Sequence, residues 1–203
     1  HAVAQAELED REKDGAYHRV AFYPAAADGT ADTARDPIVI VTSRPELIPA
    51  VVALVAHPDD ERYQPFFGTT VVSPLFGVEV EVRSHQLAKA DKGTGVAMVC
   101  TFGDLTDVTW WRELDLPTRA VVTRDGRLQR ETPAWIAESA TAGAAEAYQK
   151  LAGKTTFTAR KEIAELLAAS GDLLEEPEAI THPVPFYEKG DKPLEVVASR
   201  QWY

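Results

Sequence analysis

The clearest alternation of apolar and polar positions in this chain is at Val78, Val80 and Val82, interleaved with Glu79, Glu81 and Arg83. A period of two puts the valines on one face and the charges on the other, so Val78–Arg83 is expected as a strand with one wet face. Two further runs are apolar almost without interruption. Pro37–Val41 and Ala50–Ala56 read as strands buried on both faces. Shorter strand patterns occupy Tyr17–Tyr23 and Val71–Ser73, with a turn at Asp28-Gly29-Thr30 between the first of them and Pro37. Residues 1–14, charged and rich in Ala and Glu, read as a helix end or an entering strand.

Helical periodicity is strongest over 159–169, where Ala159, Ile163, Leu166 and Leu167 share a face, Thr158 serves as cap and Gly171 as stop. The Ala-rich stretch 134–151 reads as another helix. Pro58 fits a first helical position with Asp59, Asp60 and Glu61 in the first turn. Asp125-Gly126 is a hairpin signal between Arg119–Thr123 and the stretch after Leu128. Pro183, Pro185 and the turn Glu188-Lys189-Gly190-Asp191 precede an expected last strand, Leu194–Ala198. There is no fixed-period repeat. Many short strands with helices between them indicate an α+β fold with a small β-barrel core and inserted and flanking helices.

With 203 residues, 45% of them apolar, the chain can bury one sizeable core, and a single domain over 1–203 is expected. No apolar stretch approaches the roughly 18–20 residues of a membrane span. His1 stands where an initiator Met would, with no leader pattern, as expected of a segment cut from a longer protein. Both ends, 1–16 and 192–203, read as stalks leading elsewhere. The lone Cys100 excludes an internal disulfide and a cysteine-rich zinc site, points to a reducing cytoplasm, and in its apolar strand is a packing residue rather than a nucleophile. A net charge of -11, from 21 basic and 32 acidic residues, argues against gripping a long stretch of polynucleotide backbone. It leaves room for a single-stranded RNA end in a local pocket.

The candidate chemistry lies between Gly93 and Asp107. Gly93-Thr94-Gly95 reads as a glycine turn, Val96–Cys100 as a buried strand, and Asp104 and Asp107 as carboxylates at the mouth of a helix. Val108, Trp111 and Leu114 recur at helical spacing and Pro117 ends the run, so Asp104 fits an N-cap and Asp107 the third helical position. Capping alone accounts for such a pair. Strand-end polar groups facing a helix N-terminus are also placed to hold a small polar ligand. Ser43, Ser73 and Ser84 lack a nucleophile elbow, and His18, His57, His85 and His182 share no recognisable spacing, so neither a nucleophile–base pair nor a metal site is read here.

Four motifs occur in one order: Val41-Thr42-Ser43-Arg44-Pro45-Glu46-Leu47, Val55-Ala56-His57-Pro58-Asp59-Asp60-Glu61-Arg62-Tyr63, the Gly93–Asp107 run, and Arg200-Gln201-Trp202-Tyr203. Together they resemble the editing (CP1) domain inserted in valyl-tRNA synthetase, a class I aminoacyl-tRNA synthetase, over roughly residues 7–203. Departures from that pattern are Leu47 for a usual Thr, Thr101-Phe102-Gly103 for Pro-Ala-His, and Met98 and Cys100 for polar strand positions. Arg44 and both aspartates are retained.

The resemblance implies a hydrolase that cleaves the ester of threonine mischarged on tRNA(Val), with no cofactor. Asp107 would anchor the substrate ammonium. Asp104 would orient neighbouring groups or contact the side-chain hydroxyl, and Thr42 and Arg44 would contact the threonine hydroxyl or the terminal nucleotide. Ser43, Glu46, Gly93, Thr94 and Gly95 would line the substrate, as would Met98, Cys100 and Thr101. The implied partners are the tRNA 3′ end, the threonine moiety and the catalytic core of the parent synthetase. No His-x-Gly-His or Lys-Met-Ser-Lys-Ser signature is present, so amino-acid activation is not expected of this segment. An editing domain of a leucyl or isoleucyl synthetase, or a non-catalytic insertion that positions the tRNA end, are the alternatives.

Overall fold

The computed structural model describes residues 8–100, 105–189 and 194. Its longest strand, β1 (Leu8–Pro24), serves three partners in turn. Residues 8–17 pair antiparallel with β7 (Glu178–Tyr187), His18–Phe22 with β2 (Ile38–Thr42), and Tyr23–Pro24 with β4 (Thr70–Val72). From β4 the sheet continues through β5 (Glu79–Ser84) and β3 (Val51–Ala56) to β6 (Val96–Cys100). The β3–β5 pair is parallel and the other ladders are antiparallel. Among the described residues no ladder joins β6 back to β2, so this is an open, mixed sheet of seven strands and not a confirmed barrel. Its two end strands nevertheless touch, with the Thr94 hydroxyl donating to Val39 O at 2.6 Å.

The uninterrupted apolar run of β3 is explained by what covers it. Val51, Leu54 and Ala56 join a main core with Phe22, Ile40 and Val82. Val52, Ala53 and Val55 join a second cluster with Val99, Trp110 and Leu116. The second cluster is roofed by α1 (Leu105–Glu113). The main core is closed by α2 (Ala134–Ala137), α3 (Ala144–Leu151) and α4 (Thr156–Ser170), which contribute Ile136, Tyr148, Ile163 and Leu167. In β5, Val80 and Val82 are buried while Glu79 and Glu81 are exposed, as the alternation requires.

Several boundaries differ from expectation. Residues 57–63 form tight turns rather than a helix, followed by a short 3₁₀ segment, Gln64–Phe66. Ala50 closes a 3₁₀ helix, Pro45–Ala50, instead of opening β3. The stretch 134–151 is two helices, broken before Gly143, whose φ of 80° lies in the left-handed region. The hairpin around Asp125-Gly126 is reduced to the isolated bridge Val122↔Leu128. Gly171, at φ 83°, ends α4 as expected, but the cap is Thr155, whose side chain accepts from the Thr158 backbone N–H at 3.2 Å.

Pro183 and Pro185 lie inside β7 rather than ahead of a later strand. They are two residues apart, so their nitrogens face the same way, and Leu194 N–H donates to Pro185 O from the side away from β1. The side of a strand that need not donate to the ladder is where it accommodates residues without a donor. The rest of the expected strand 194–198 lies outside the described residues, as do residues 1–7 and Arg200–Tyr203. Residues 8–17 form a two-stranded ribbon with 178–187.

Because Thr155 caps α4, Thr155→Ala is expected to cost about 1 kcal/mol. Thr158→Ala, which removes an exposed hydroxyl 3.0 Å from that of Thr155 but keeps the capped backbone N–H, should stay within about 0.5 kcal/mol. Urea midpoints at constant slope measure both.

Candidate functional site

β2 ends at Thr42, where the chain turns sharply: Arg44 N–H donates to Thr42 Oγ1 at 3.0 Å. Pro45 then opens the 3₁₀ helix, all six residues of which are buried, so Glu46 enters the interior with 0% exposure. A carboxylate taken out of water needs charged partners. Arg160, from α4, supplies a two-point fork, Nε to Oε2 at 2.9 Å and Nη2 to Oε1 at 2.7 Å. Arg44 adds Nε to Oε1 at 3.1 Å. The Arg44 guanidinium is therefore fixed through Glu46 by a helix 114 residues away in sequence.

Cys100, at the end of β6, lies beside the same charges. The register between β3 and β6 shifts between Val51 and Ala53, opposite Cys100 and Val99. Such a bulge re-aims side chains locally; here the consecutive β3 residues Val52 and Ala53 both join the second cluster, while Cys100 and Val99 alternate in the ordinary way between the main core and the second. Burial pushes the Cys100 thiol well above its ordinary range. Asp107 pushes it further, Arg44 opposes and Glu46 adds. The thiol is therefore inert as a nucleophile, and Asp107, Arg44 and Glu46 all bear on one point at the end of β6. Asp107 itself is 7% exposed in the first turn of α1, where the helix dipole favours a negative charge. Met98, two residues before Cys100, packs partly buried against the main core, and Ser43 is half-buried at the turn. Asp104 and Thr101 lie outside the described residues.

Gly93-Thr94-Gly95 lies at the other end of β6, five strand residues or about 17 Å from Cys100. What it accommodates is the His57–Tyr63 run. Asp60 accepts from Arg62 Nε at 2.8 Å and Nη2 at 2.6 Å, Arg62 Nη2 donates to Ala90 O at 2.8 Å, and Tyr63 hydroxyl to Thr94 O at 2.6 Å. A Cβ on Gly95, at φ 86°, would stand 2.9 Å from both Ala90 O and Asp60 Oδ2. The glycine thus makes room for the Asp60–Arg62 pair, and the Thr94 hydroxyl is committed to β2.

Arg160 and His18 were not read as site residues from the sequence. Arg160 follows Ala159 on the apolar face of α4, and its partner is too distant for any local spacing to reveal. His18 is 5% exposed, with Nδ1 3.3 Å from Thr42 O, and lies in the field of Arg160 and Glu46. Burial chiefly lowers its pKa below the ordinary 6.5, against the raising effect of the Thr42 carbonyl.

No protein-family model matches the chain. Across its whole length it is 65% identical to a valine–tRNA ligase of Thermobifida fusca and 61% identical to that of Leifsonia xyli subsp. xyli, covering 22% of each. The chain is homologous to one segment of the valine–tRNA ligases. It spans about a fifth of the length of these relatives. Two solved structures share the fold. One is the LeuRS–tRNA–LeuAMS ternary complex of Agrobacterium radiobacter K84 (TM-score 0.52, 15% identity, 86% of this chain and 20% of that one). The other is GlLeuRS-CP1 (TM-score 0.53, 11% identity, 77% of this chain and 97% of that one). The chain thus shares the fold of GlLeuRS-CP1, with its buried charges gathered where β2, β6 and α1 meet.

Removing Arg160 leaves the Glu46 carboxylate buried with Arg44 alone. Arg160→Met is expected to destabilise by about 3–5 kcal/mol, and the double change Arg160→Met with Glu46→Gln to recover part of that loss; denaturant titration of the three variants checks it. His18 binds its proton less readily folded than unfolded, so its stabilising contribution is complete above pH 6.5 and is lost as pH falls below that value. Unfolding free energy measured between pH 7.5 and 5 should decline, and the decline should be shallower in His18→Gln.

Proposed function

We propose that this chain is the single editing domain of a valine–tRNA ligase, hydrolysing the ester of threonine mischarged on tRNA(Val) in the cytoplasm. Homology to valine–tRNA ligases and a fold like that of a LeuRS CP1 support it. The observation that carries it is the buried carboxylate of Asp107, in the first turn of α1, acting on the same strand end as Arg44.

Valine and threonine are nearly isosteric, and an apolar synthetic pocket rejects an added hydroxyl poorly; the valyl system is the standing example of this problem. A second, hydrolytic sieve answers it if its polar groups pair with the threonine hydroxyl and are left unpaired by valine. In this reading Asp107 holds the α-ammonium of the aminoacyl ester. The hydroxyl of Thr42 and the guanidinium of Arg44, fixed by Glu46, face the substrate hydroxyl or the terminal nucleotide. Asp104, three residues before Asp107 in sequence, orients neighbouring groups or contacts the side-chain hydroxyl. Cys100 and Met98 supply an apolar wall in place of the polar strand positions usual in the pattern.

Aminoacyl esters are labile, so holding one water against the carbonyl, with help from the adjacent ribose hydroxyl, is enough without a protein nucleophile. The inert Cys100 thiol is in keeping with that. The parent enzyme's catalytic core supplies the charged tRNA, whose 3′ end alone must reach this site. A leucyl or isoleucyl assignment is disfavoured by the valine–tRNA ligase relatives.

Purified protein mixed with threonyl-tRNA(Val) should release threonine, and Asp107→Ala should slow release about 10- to 150-fold, the loss of one hydrogen bond to a charged group. Release at the wild-type rate from Asp107→Ala overturns the anchoring role. Binding of the charged tRNA by the wild type without release favours a passive insertion.

A further inference from the structure

The charge of this chain is unevenly distributed. Residues 119–161 carry eight basic and four acidic side chains, whereas the other 160 residues carry 13 basic and 28 acidic. Two of the eight point inward, Arg119 to Val51 O and Arg160 to Glu46. The others include the cations of an open cleft of about 660 Å³ lined by Arg127, Arg130, Gln149, Lys154, Thr155 and Thr158.

The backbone builds this cleft. Arg127 bridges Thr155, Leu128 N–H donates to Lys154 O at 2.9 Å, and Thr156 N–H to Gly126 O at 3.2 Å. These bonds set the Arg127–Arg130 segment against the start of α4. Arg127 lies 3.6 Å from Asp125, and Lys154 lies 2.5 Å from Glu162. The Arg127–Asp125 pair is exposed, and such a pair is weak and yields readily to a second anion, whereas the Lys154–Glu162 pair is half-buried and leaves Lys154 at the cleft wall with its charge shared. Arg130, exposed and lying along Gly153, has no carboxylate within ion-pair distance among the described residues.

A second observation comes from a different kind of side chain. Phe157, between the two threonines of the cleft wall, is 64% exposed, the most open large hydrophobic residue described. Lys161 Nζ stands 4.8 Å from its ring centroid. A water-exposed aromatic ring beside a basic groove combines what a single-stranded nucleic acid requires, a π-face for a base and cations for its phosphates. An acidic peptide would use the cations and leave the ring idle.

We propose that this cleft and Phe157 form a binding surface for a single-stranded segment of RNA, with Arg127, Arg130 and Lys154 on the phosphates and Phe157 under one base. The surface involves none of the residues assigned above to ester hydrolysis, and it stands whether or not that reading does. It also locates RNA binding in a chain whose overall charge opposes it.

The test is fluorescence anisotropy of the full chain with a labelled, uncharged 12-nucleotide RNA at several salt concentrations. Phe157→Ala should weaken binding about 5- to 150-fold with the salt dependence unchanged. The double change Arg127→Gln with Arg130→Gln should reduce the slope of log affinity against log salt by about 0.7 for each phosphate no longer neutralised. Unchanged melting temperatures and unchanged threonine release from threonyl-tRNA(Val) at saturating protein would separate these effects from misfolding and from the hydrolytic site. Absence of RNA binding by the wild type overturns the proposal, as does equal binding by all variants. Displacement of the RNA by polyglutamate as effectively as by unlabelled RNA also overturns it, because it would make the cleft a general anion site.

Discussion

The carboxylate of Glu46, held with no exposure to water between two guanidiniums, is the interaction on which the site end of the molecule depends. It ties the 3₁₀ segment after β2 to α4 and places Arg44 beside the end of β6. An ion pair of this kind costs desolvation that its attraction only about offsets, so its value lies less in stability than in fixing which groups meet. Here it brings together a strand end, a helix and a turn that are far apart in sequence, next to the first turn of α1.

The same logic divides the rest of the molecule into parts that hold and parts that act. The Asp60–Arg62 pair and Tyr63 hold the glycine loop at one end of β6, while Glu46 and its partners define the other. β3, apolar throughout, separates two cores, and α1 covers the second while its first turn carries Asp107 to the end of β6. Function in this reading belongs to strand ends and a helix start supported by a rigid sheet.

Much of this was legible in the sequence where a periodic pattern had a single local cause. The valines of β5, the buried run of β3, the helix around Ile163 and its glycine stop all follow from which residues must leave water, whereas β2, expected buried on both faces, fully buries only Ile38 and Ile40. Legibility failed where a distant partner decided the outcome. Pro58 with three acids reads locally as a helix start, but Asp60 spends its charge on Arg62 and the chain turns instead. Thr155 rather than Thr158 caps α4 because the helix begins one turn earlier than its apolar face does. Pro183 and Pro185 read as breakers until β1 supplies the edge that needs donors and their nitrogens face the other way. In the site, Thr42, Arg44, Glu46 and Asp107 were named from motifs, but Arg160 was invisible because nothing within a few turns of it shows that a buried acid awaits it.

β1 pairs its first residues with β7, so that Leu8 faces Tyr187 across nearly the whole chain. Closing so long a loop carries an entropic cost that local contacts cannot offset early, and topologies rich in such distant pairings assemble slowly. During synthesis, residues 8–17 must wait, without their mate, until residues 178–187 have left the ribosome.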